Sequence, residues 1–117
     1  MGCGIDAELI HRFARWTEKK SAPPPFLFSE NEIEHCRSLK DPAKGLCASF
    51  CCKEAVFKAL MEPYNWNECE LFWTQCTKEY KVHFSEQLCM EFKIEDASAL
   101  VEIRSTGECL VQVYIFG

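Results

Sequence analysis

The 117-residue chain lacks several features that would assign a protein to a class at once. None of its nine cysteines forms a C-x-x-C pair, the spacing typical of zinc and dithiol sites. No stretch approaches the roughly 18 consecutive apolar residues of a transmembrane helix. The first eight residues carry two acids and lack the basic start and apolar run of a secretory signal. These absences predict a cytoplasmic protein with reduced thiols and no membrane partner.

Positive charge is also in deficit. Lysine and arginine number 13 against 18 aspartates and glutamates, which gives a net charge of −5. A general nucleic-acid binder needs a basic surface, so this function class is excluded. Hydrophobic residues are plentiful at 48%, with 13% aromatics, which suffices for one packed domain spanning residues 1–117.

Local patterns predict an α+β chain, with helices mainly in the first half and strands in the second. A short strand at 2–6 precedes a helix from 7 to about 20. A Ser-x-x-Glu capping box starts a helix at 30–39, and Asp41-Pro42 opens a main helix that ends near 61. Strands follow at 69–77, 79–84, 99–103 and 109–116, the last two joined by a hairpin turn at 105–108. Periodicity alone leaves 86–95 open between helix and strand.

The main helix contains the stretch from Phe50 to Leu60, where charged residues interrupt an apolar run. Glu54 and Lys58 lie one turn apart on one face, and Lys53 interrupts a neighbouring apolar stripe. Taken alone, Glu54 and Lys58 would be a surface pair worth only about 0.2–0.5 kcal/mol.

Two separated motifs change that interpretation. Gly4-Ile5-Asp6-Ala7-Glu8, with Arg12 six residues after the aspartate, stands together with Phe50-x-x-Lys53-Glu54-Ala55-x-x-Lys58-Ala59-Leu60. The pair resembles the 4′-phosphopantetheinyl transferases, and by length the holo-[acyl-carrier-protein] synthase type. The resemblance implies a phosphopantetheinyl transferase-like fold of helices packed on an antiparallel sheet, with a helix near 86–95.

The resemblance also implies an activity. Such enzymes transfer the 4′-phosphopantetheine arm of coenzyme A to a serine of an apo acyl or peptidyl carrier protein, and they release adenosine 3′,5′-bisphosphate. The matching residues are Asp6, Glu8 and Glu54 as Mg²⁺ ligands, Lys53 and Lys58 as coenzyme A contacts, and Asp6, Glu54 and Lys58 as the catalytic set. The general base is left open between Glu54, Glu8 and a metal-bound water. Mg²⁺ and Mn²⁺ both suit hard oxygen ligands.

The same resemblance implies that Arg12 contacts the carrier protein. Arg15 and Lys19 extend the same basic face at i+3 and i+7. These basic residues would also suit the end of a helix dipole, which is a purely structural alternative. Small members of the family build their sites between subunits, so a homotrimer is implied. The carrier is not specified, and fatty acid biosynthesis, polyketide and peptide pathways all stay open.

Three departures from the family pattern motivate a second hypothesis. Ser49 stands where the small enzymes have an arginine, Ser105 where they have a histidine, and residues 61–64 replace a Gly-rich turn. The alternative function is a non-catalytic or repurposed homologue that binds a carrier protein or metal without transferring the arm. A third hypothesis is a thiol-based metal or redox protein that uses Cys47, Cys51 and Cys52.

Overall fold

The chain begins with a strand that is longer than the sequence pattern predicts. The computed structural model describes residues 2–17, 21–74 and 79–117. In it, β1 (Gly2–Leu9) leads into a 3₁₀ helix at Ile10–Thr17. The predicted helix from 7 to about 20 is therefore wrong in its start and its type, and its last residues lie outside the described ranges. Because β1 pairs with the C-terminal strand as far as Leu9 opposite Glu108, sheet hydrogen bonding overrides the helical periodicity.

The two helices that follow match their predicted starts. At the start of α1 (Glu30–Ser38), the Ser29 hydroxyl accepts from the Glu32 amide and the Glu32 carboxylate accepts from the Ser29 amide, a complete capping box. The main helix, α2 (Pro42–Leu60), is capped by Asp41 and has proline in its first turn. None of the helices in the described ranges is long and apolar enough to cross a membrane.

The second half of the chain is mostly extended, as predicted. A 3₁₀ helix at Trp66–Glu68 leads into β2 (Cys69–Thr74), β3 (Glu79–Phe84), α3 (Glu86–Phe92), β4 (Asp96–Ile103) and β5 (Glu108–Phe116). The helix implied near 86–95 is confirmed, and the last residues of the first predicted strand lie outside the described ranges. The β4–β5 hairpin turns through Gly107, whose φ of 92° is a conformation that glycine adopts without strain.

The strands form two antiparallel sheets, one of order β1-β5-β4 and one of order β2-β3. Alternate residues of β5 face the inside of the three-stranded sheet and are buried: Cys109, Val111, Val113 and Ile115. Helix α2 packs across this inner face and contributes ten buried residues to the core. The α+β class with helices on an antiparallel sheet is confirmed.

Glycines set the distance between β1 and α2. A methyl group added at Gly4 would overlap the Ala55 carbonyl oxygen, and one at Gly2 would lie 2.5 Å from the Ala59 carbonyl oxygen. The strand backbone therefore rests directly on the helix backbone, as only glycine permits. Asp6, two residues after Gly4, is brought beside the C-terminal half of α2 as a result.

The outer face of the three-stranded sheet exposes several large apolar side chains among polar ones. Ile5 is 47% exposed and Leu100 is 60% exposed, and both lie opposite Gln112 in the register of the sheet. Leu9 and Phe116 add further apolar surface. Large apolar side chains exposed on one face are typical of a surface that another protein covers.

Candidate functional site

Asp6 points from β1 towards α2 and carries an unsatisfied acceptor. Its Oδ1 accepts a hydrogen bond from Lys58 Nζ at 3.0 Å, while its Oδ2 is buried and has no hydrogen-bond partner among the described residues. The Lys58 ammonium also donates to the Ile5 carbonyl oxygen at 2.9 Å. A buried carboxylate oxygen without a donor is costly, so Oδ2 marks a place where a cation or a donor group would be favourable.

Glu54 completes the α2 side of this site, one turn before Lys58. Burial raises the pKa of the Glu54 carboxyl, the neighbouring charges of Asp6 and Glu8 raise it further, and Lys58 opposes the shift. The Glu54 carboxylate is therefore repelled by Asp6 and Glu8, and a bound cation would relieve that repulsion.

Glu8 is the least available of the three predicted metal ligands. Its Oε2 accepts from Arg12 Nη1 at 2.7 Å in an i,i+4 ion pair. In the part of the chain that the structure describes, no group of three or more His, Cys, Asp or Glu side chains could hold a metal ion. The predicted trio Asp6, Glu8 and Glu54 is therefore not assembled as a three-ligand cage.

Asp6 and Glu54 nevertheless fit an Mg²⁺ ion by their chemistry. This ion is usually held by one or two carboxylates and keeps water or substrate phosphate in its other positions. The unpartnered Oδ2 of Asp6 beside the Glu54 carboxylate matches that donor set.

Lys53 requires a correction, because its side chain turns into the core. Its Nζ lies 2.7 Å from Glu32 Oε1 and donates to the carbonyl oxygens of Trp66 and Cys69, each at 2.5 Å. The side chain is 1% exposed. All three ammonium donors are used, so the predicted contact between Lys53 and coenzyme A does not fit this structure.

Glu32, the partner of Lys53, was not predicted to have any role beyond the capping box. Burial raises its pKa, and Lys53 together with the backbone amides of Ser29 and Leu71 opposes the shift. The sequence signal was Lys53 itself, a lysine within an apolar helical stripe that requires a buried anion.

An aromatic pocket of about 410 Å³ opens beside Glu54. The Phe50 and Trp66 rings form one wall with centroids 5.6 Å apart, and Tyr64 stacks on Trp66 at 6.4 Å. Phe26, Leu27 and Asn65 complete the lining. Sequence reasoning missed this pocket because its residues come from three segments, and only Phe50 and Glu54 belonged to a motif.

The basic residues predicted to dock a carrier lie on the neighbouring 3₁₀ helix. Arg12 and Arg15 are exposed, and the Arg15 guanidinium lies 4.8 Å from the centre of the Trp16 ring. They line a groove of about 110 Å³ that also contains Glu8 and Phe50, so the basic face adjoins the Glu54 pocket at Phe50. Lys19 lies outside the described residues.

The departures from the family pattern have distinct surroundings. Ser49 is 1% exposed beside the Cys36 thiol, so it points away from any ligand at the surface. Ser105 is exposed in the β4–β5 turn. Met61 ends α2 in the left-handed region at φ 61°, a position that usually belongs to glycine.

The cysteines are free thiols in the described part of the chain, and most are buried. Cys47 donates to the Glu8 carbonyl oxygen at 3.6 Å and Cys51 donates to the Cys109 carbonyl oxygen at 3.7 Å. No group of them among the described residues could hold a metal ion, which removes the main support for a thiol-based metal site.

Comparisons with known proteins address the fold and the family. A holo-[acyl-carrier-protein] synthase structure from Neisseria meningitidis aligns with a TM-score of 0.80 at 17% identity, covering 99% of this chain and 98% of that chain. One from Helicobacter pylori in complex with coenzyme A aligns with a TM-score of 0.78 at 19% identity, covering 97% and 99%. These alignments confirm the predicted fold.

Sequence relatives agree with the structural neighbours. A holo-[acyl-carrier-protein] synthase of Clavibacter michiganensis subsp. michiganensis is 40% identical over 72 residues, which cover 60% of this chain and 56% of the relative. One of Syntrophotalea carbinolica is 43% identical over 60 residues, which cover 50% and 47%. Such matches span from 30% to 56% of the relatives' own length. The profile of the 4′-phosphopantetheinyl transferase superfamily matches residues 2–106, nearly the whole chain, and the chain therefore belongs to this superfamily.

Proposed function

We propose that this chain is a Mg²⁺-dependent enzyme of the holo-[acyl-carrier-protein] synthase type. It would transfer the 4′-phosphopantetheine arm of coenzyme A to a carrier-protein serine and release adenosine 3′,5′-bisphosphate. The observation that carries the proposal is the buried, unpartnered Oδ2 of Asp6 beside Lys58 and Glu54. Relatives that carry the name holo-[acyl-carrier-protein] synthase support the same assignment.

The reaction breaks a pyrophosphate, so negative charge must be neutralised on its oxygens. Mg²⁺, when bound, polarises the phosphoryl oxygens and stabilises the charge that develops on the leaving group. Asp6 and Glu54 are the residues that would hold it. Their mutual repulsion supports a role for a cation between them.

Lys58 is suited to bind a phosphate oxygen. An ammonium has three donors, and two of them are used, towards Asp6 and the Ile5 carbonyl. The side chain is 49% exposed, so the third donor can reach a ligand from solvent. Lys58 would thereby orient the pyrophosphate relative to Asp6.

The attacking serine oxygen forms a bond to the phosphorus next to pantetheine, and the bond from that phosphorus to the bridging oxygen breaks. The serine proton passes to a base, for which Glu54, Glu8 and a water are the three candidates. Glu54 lines the aromatic pocket, whereas Glu8 is held by Arg12. This difference favours Glu54 or a water beside it.

Carrier binding is proposed for the exposed face of the 3₁₀ helix at Ile10–Thr17. Arg12 and Arg15 give this face positive charge on a chain whose net charge is −5. An acidic partner would be steered there by charge complementarity. The groove that they line meets the Glu54 pocket at Phe50, so a docked carrier would present its serine near the carboxylates.

A homotrimer, formed in the cytosol, completes the proposal. Small members of the family build their sites between subunits, so a neighbouring subunit would supply further contacts to coenzyme A. The apolar side chains exposed on the outer sheet face, Ile5 and Leu100 among them, support self-association. Free buried thiols support a reducing compartment.

The Ile5→Glu variant should convert a trimer to monomers in sedimentation, and a wild-type monomer would reject this part of the proposal.

The deciding experiment incubates the protein with coenzyme A, Mg²⁺ and apo carrier proteins from fatty-acid, polyketide and peptide pathways. Mass spectrometry then detects whether any carrier gains the phosphopantetheine arm. We expect addition that stops when the carrier serine is replaced by alanine. A folded protein that modifies no carrier would reject the transferase function.

A repurposed homologue is the second candidate function, and Ser49 supports it. This residue is buried where relatives are expected to have an arginine, so it offers nothing to a phosphate. Calorimetry with coenzyme A separates the two functions. Binding that Asp6→Ala abolishes supports the enzyme, whereas carrier binding without coenzyme binding supports the homologue.

A further inference from the structure

The ion pair between Glu32 and Lys53 joins three separate parts of the chain. Glu32 lies on α1 and Lys53 on α2, and the side chains meet at 2.7 Å with at most 1% of either exposed. Lys53 also donates to the carbonyls of Trp66 and Cys69, the first helical residue and the C-cap of the 3₁₀ turn before β2. This single ammonium therefore clamps the 3₁₀ turn against both helices.

Every polar atom of the pair has a partner. Glu32 accepts from the Ser29 amide at 3.1 Å through Oε1 and from the Leu71 amide at 3.4 Å through Oε2. A buried ion pair with full hydrogen bonding fixes geometry, yet well-packed apolar residues in its place are often just as stable. Stability alone therefore does not explain why a buried ion pair occurs here. The position of the pair in the fold offers an explanation.

The clamped turn carries the wall of the pocket beside Glu54. The Trp66 ring packs against Phe50 and Tyr64, and all three rings line that pocket together with Glu54. The Tyr64 hydroxyl donates to the Lys53 carbonyl at 2.8 Å, a second tie between the wall and α2. Glu54, the next residue after Lys53, sits on the same turn of the helix.

We propose that Glu32 and Lys53 are positioning residues that hold the Tyr64–Trp66 wall against Glu54 and thereby set the affinity of the pocket for coenzyme A. This inference rests on the proposed function for its substrate. Neither side chain touches the ligand, because neither reaches the surface. The pair acts through the 3₁₀ turn, whose displacement would widen the pocket.

The test replaces the pair by a neutral one of similar shape, Glu32→Gln with Lys53→Met, which avoids leaving one buried charge alone. Transfer kinetics give KM and kcat for coenzyme A. We expect KM to rise about tenfold and kcat to change less than about threefold, because a displaced wall weakens binding more than chemistry. Tyr64→Phe removes only the hydrogen bond from the Tyr64 hydroxyl to the Lys53 carbonyl, so it should raise KM less. This variant keeps the inference testable if the neutral pair fails to fold.

Leu88→Ala is the matched control, because it empties a fully buried site on α3 away from the pocket. It should lower stability without changing KM. An equal rise in KM for Leu88→Ala would mean that the Glu32–Lys53 pair affects KM only through general stability, which would overturn the inference. Unchanged KM in both the neutral pair and Tyr64→Phe would also overturn the inference.

A spectroscopic measurement separates this inference from the proposed function. In protein labelled with fluorotryptophan, the Trp66 resonance is assigned with Trp66→Phe and followed in each variant by ¹⁹F NMR. The resonance should shift in the neutral pair and stay in place in Leu88→Ala. If wild-type protein transfers no arm, the proposed function fails, while an unshifted Trp66 resonance in the neutral pair would independently refute the positioning role.

Discussion

The Lys58 ammonium lies 3.0 Å from Oδ1 of Asp6, which comes 52 residues earlier in the chain. This contact joins β1 to α2 and leaves the second oxygen of Asp6 buried without a partner in the described structure. The two sequence motifs therefore meet in one place. The site where they meet combines the Lys58 ammonium, the unpartnered Oδ2 of Asp6 and the Glu54 carboxylate.

Replacing Asp6 by asparagine tests whether this acceptor holds Mg²⁺. In wild-type protein, Mg²⁺ should raise the melting temperature, because a ligand that binds only the folded state stabilises it. Asp6→Asn should show no such rise and should lose on the order of 100-fold in kcat/KM. Glu102→Gln, a change at an exposed carboxylate on β4, serves as the control. An Mg²⁺ response that survives in Asp6→Asn would contradict the assignment of this ligand.

Replacing Lys58 by methionine tests the phosphate contact. Loss of one charge-assisted donor to the pyrophosphate should lower kcat/KM for coenzyme A by roughly 10- to 100-fold. Stability should fall by about 1 kcal/mol, since the Lys58 side chain is half exposed. Steady-state kinetics and thermal unfolding measure the two effects. The exposed Lys81→Met on β3 is the matched change, and similar kinetic losses in both variants would speak against a specific role.

Charge reversal at Arg12 and Arg15 tests the carrier-docking face. The double variant Arg12→Glu/Arg15→Glu should raise KM for the carrier protein, leave KM for coenzyme A unchanged and weaken the dependence of carrier binding on salt. Arg37→Glu, an exposed site in the last turn of α1, controls for net charge. If Arg37→Glu raises the carrier KM as much, the interaction is a general charge effect and has no defined face.

Alkylation by iodoacetamide tests the state of the thiols. Burial raises the pKa of the Cys36 thiol to about 12, so almost no thiolate is present near pH 8 and the native side chain is also inaccessible. Peptide mapping by mass spectrometry should find Cys3, which is exposed, modified at pH 8 and Cys36 unmodified until denaturant is added. Rapid native modification of Cys36 would show that α1 opens readily from α2.

Local chemistry explains which elements the sequence predicted well. Helices α1 and α2 begin where Ser29 and Asp41 offer caps, and both signals act within three residues. The β4–β5 hairpin is equally local, because Gly107 provides the turn. The position at which the 3₁₀ helix starts depends on a distant part of the chain. Residues 7–9 have helical periodicity, and only their pairing with a strand 100 residues later makes them extended.

The candidate site shows the same division. Asp6, Glu54 and Lys58 were predicted together from motif resemblance, and the structure places them together. Lys53 was assigned to coenzyme A by the same resemblance, whereas the structure pairs it with Glu32, a residue of another helix that the α2 sequence does not identify. Residues that act through distant partners need the packed structure, whereas residues fixed by spacing on one helix do not.

The contact between Gly4 and α2 has a consequence for genetic variation. No reactive group is present at Gly4, yet any side chain there would push β1 away from the Ala55 carbonyl and carry Asp6 with it. Substitutions at this position would thus separate Asp6 from Lys58 and Glu54, the residues proposed to bind Mg²⁺ and phosphate. Inactivating mutations are therefore expected at Gly4, although this residue has no side chain that could take part in catalysis.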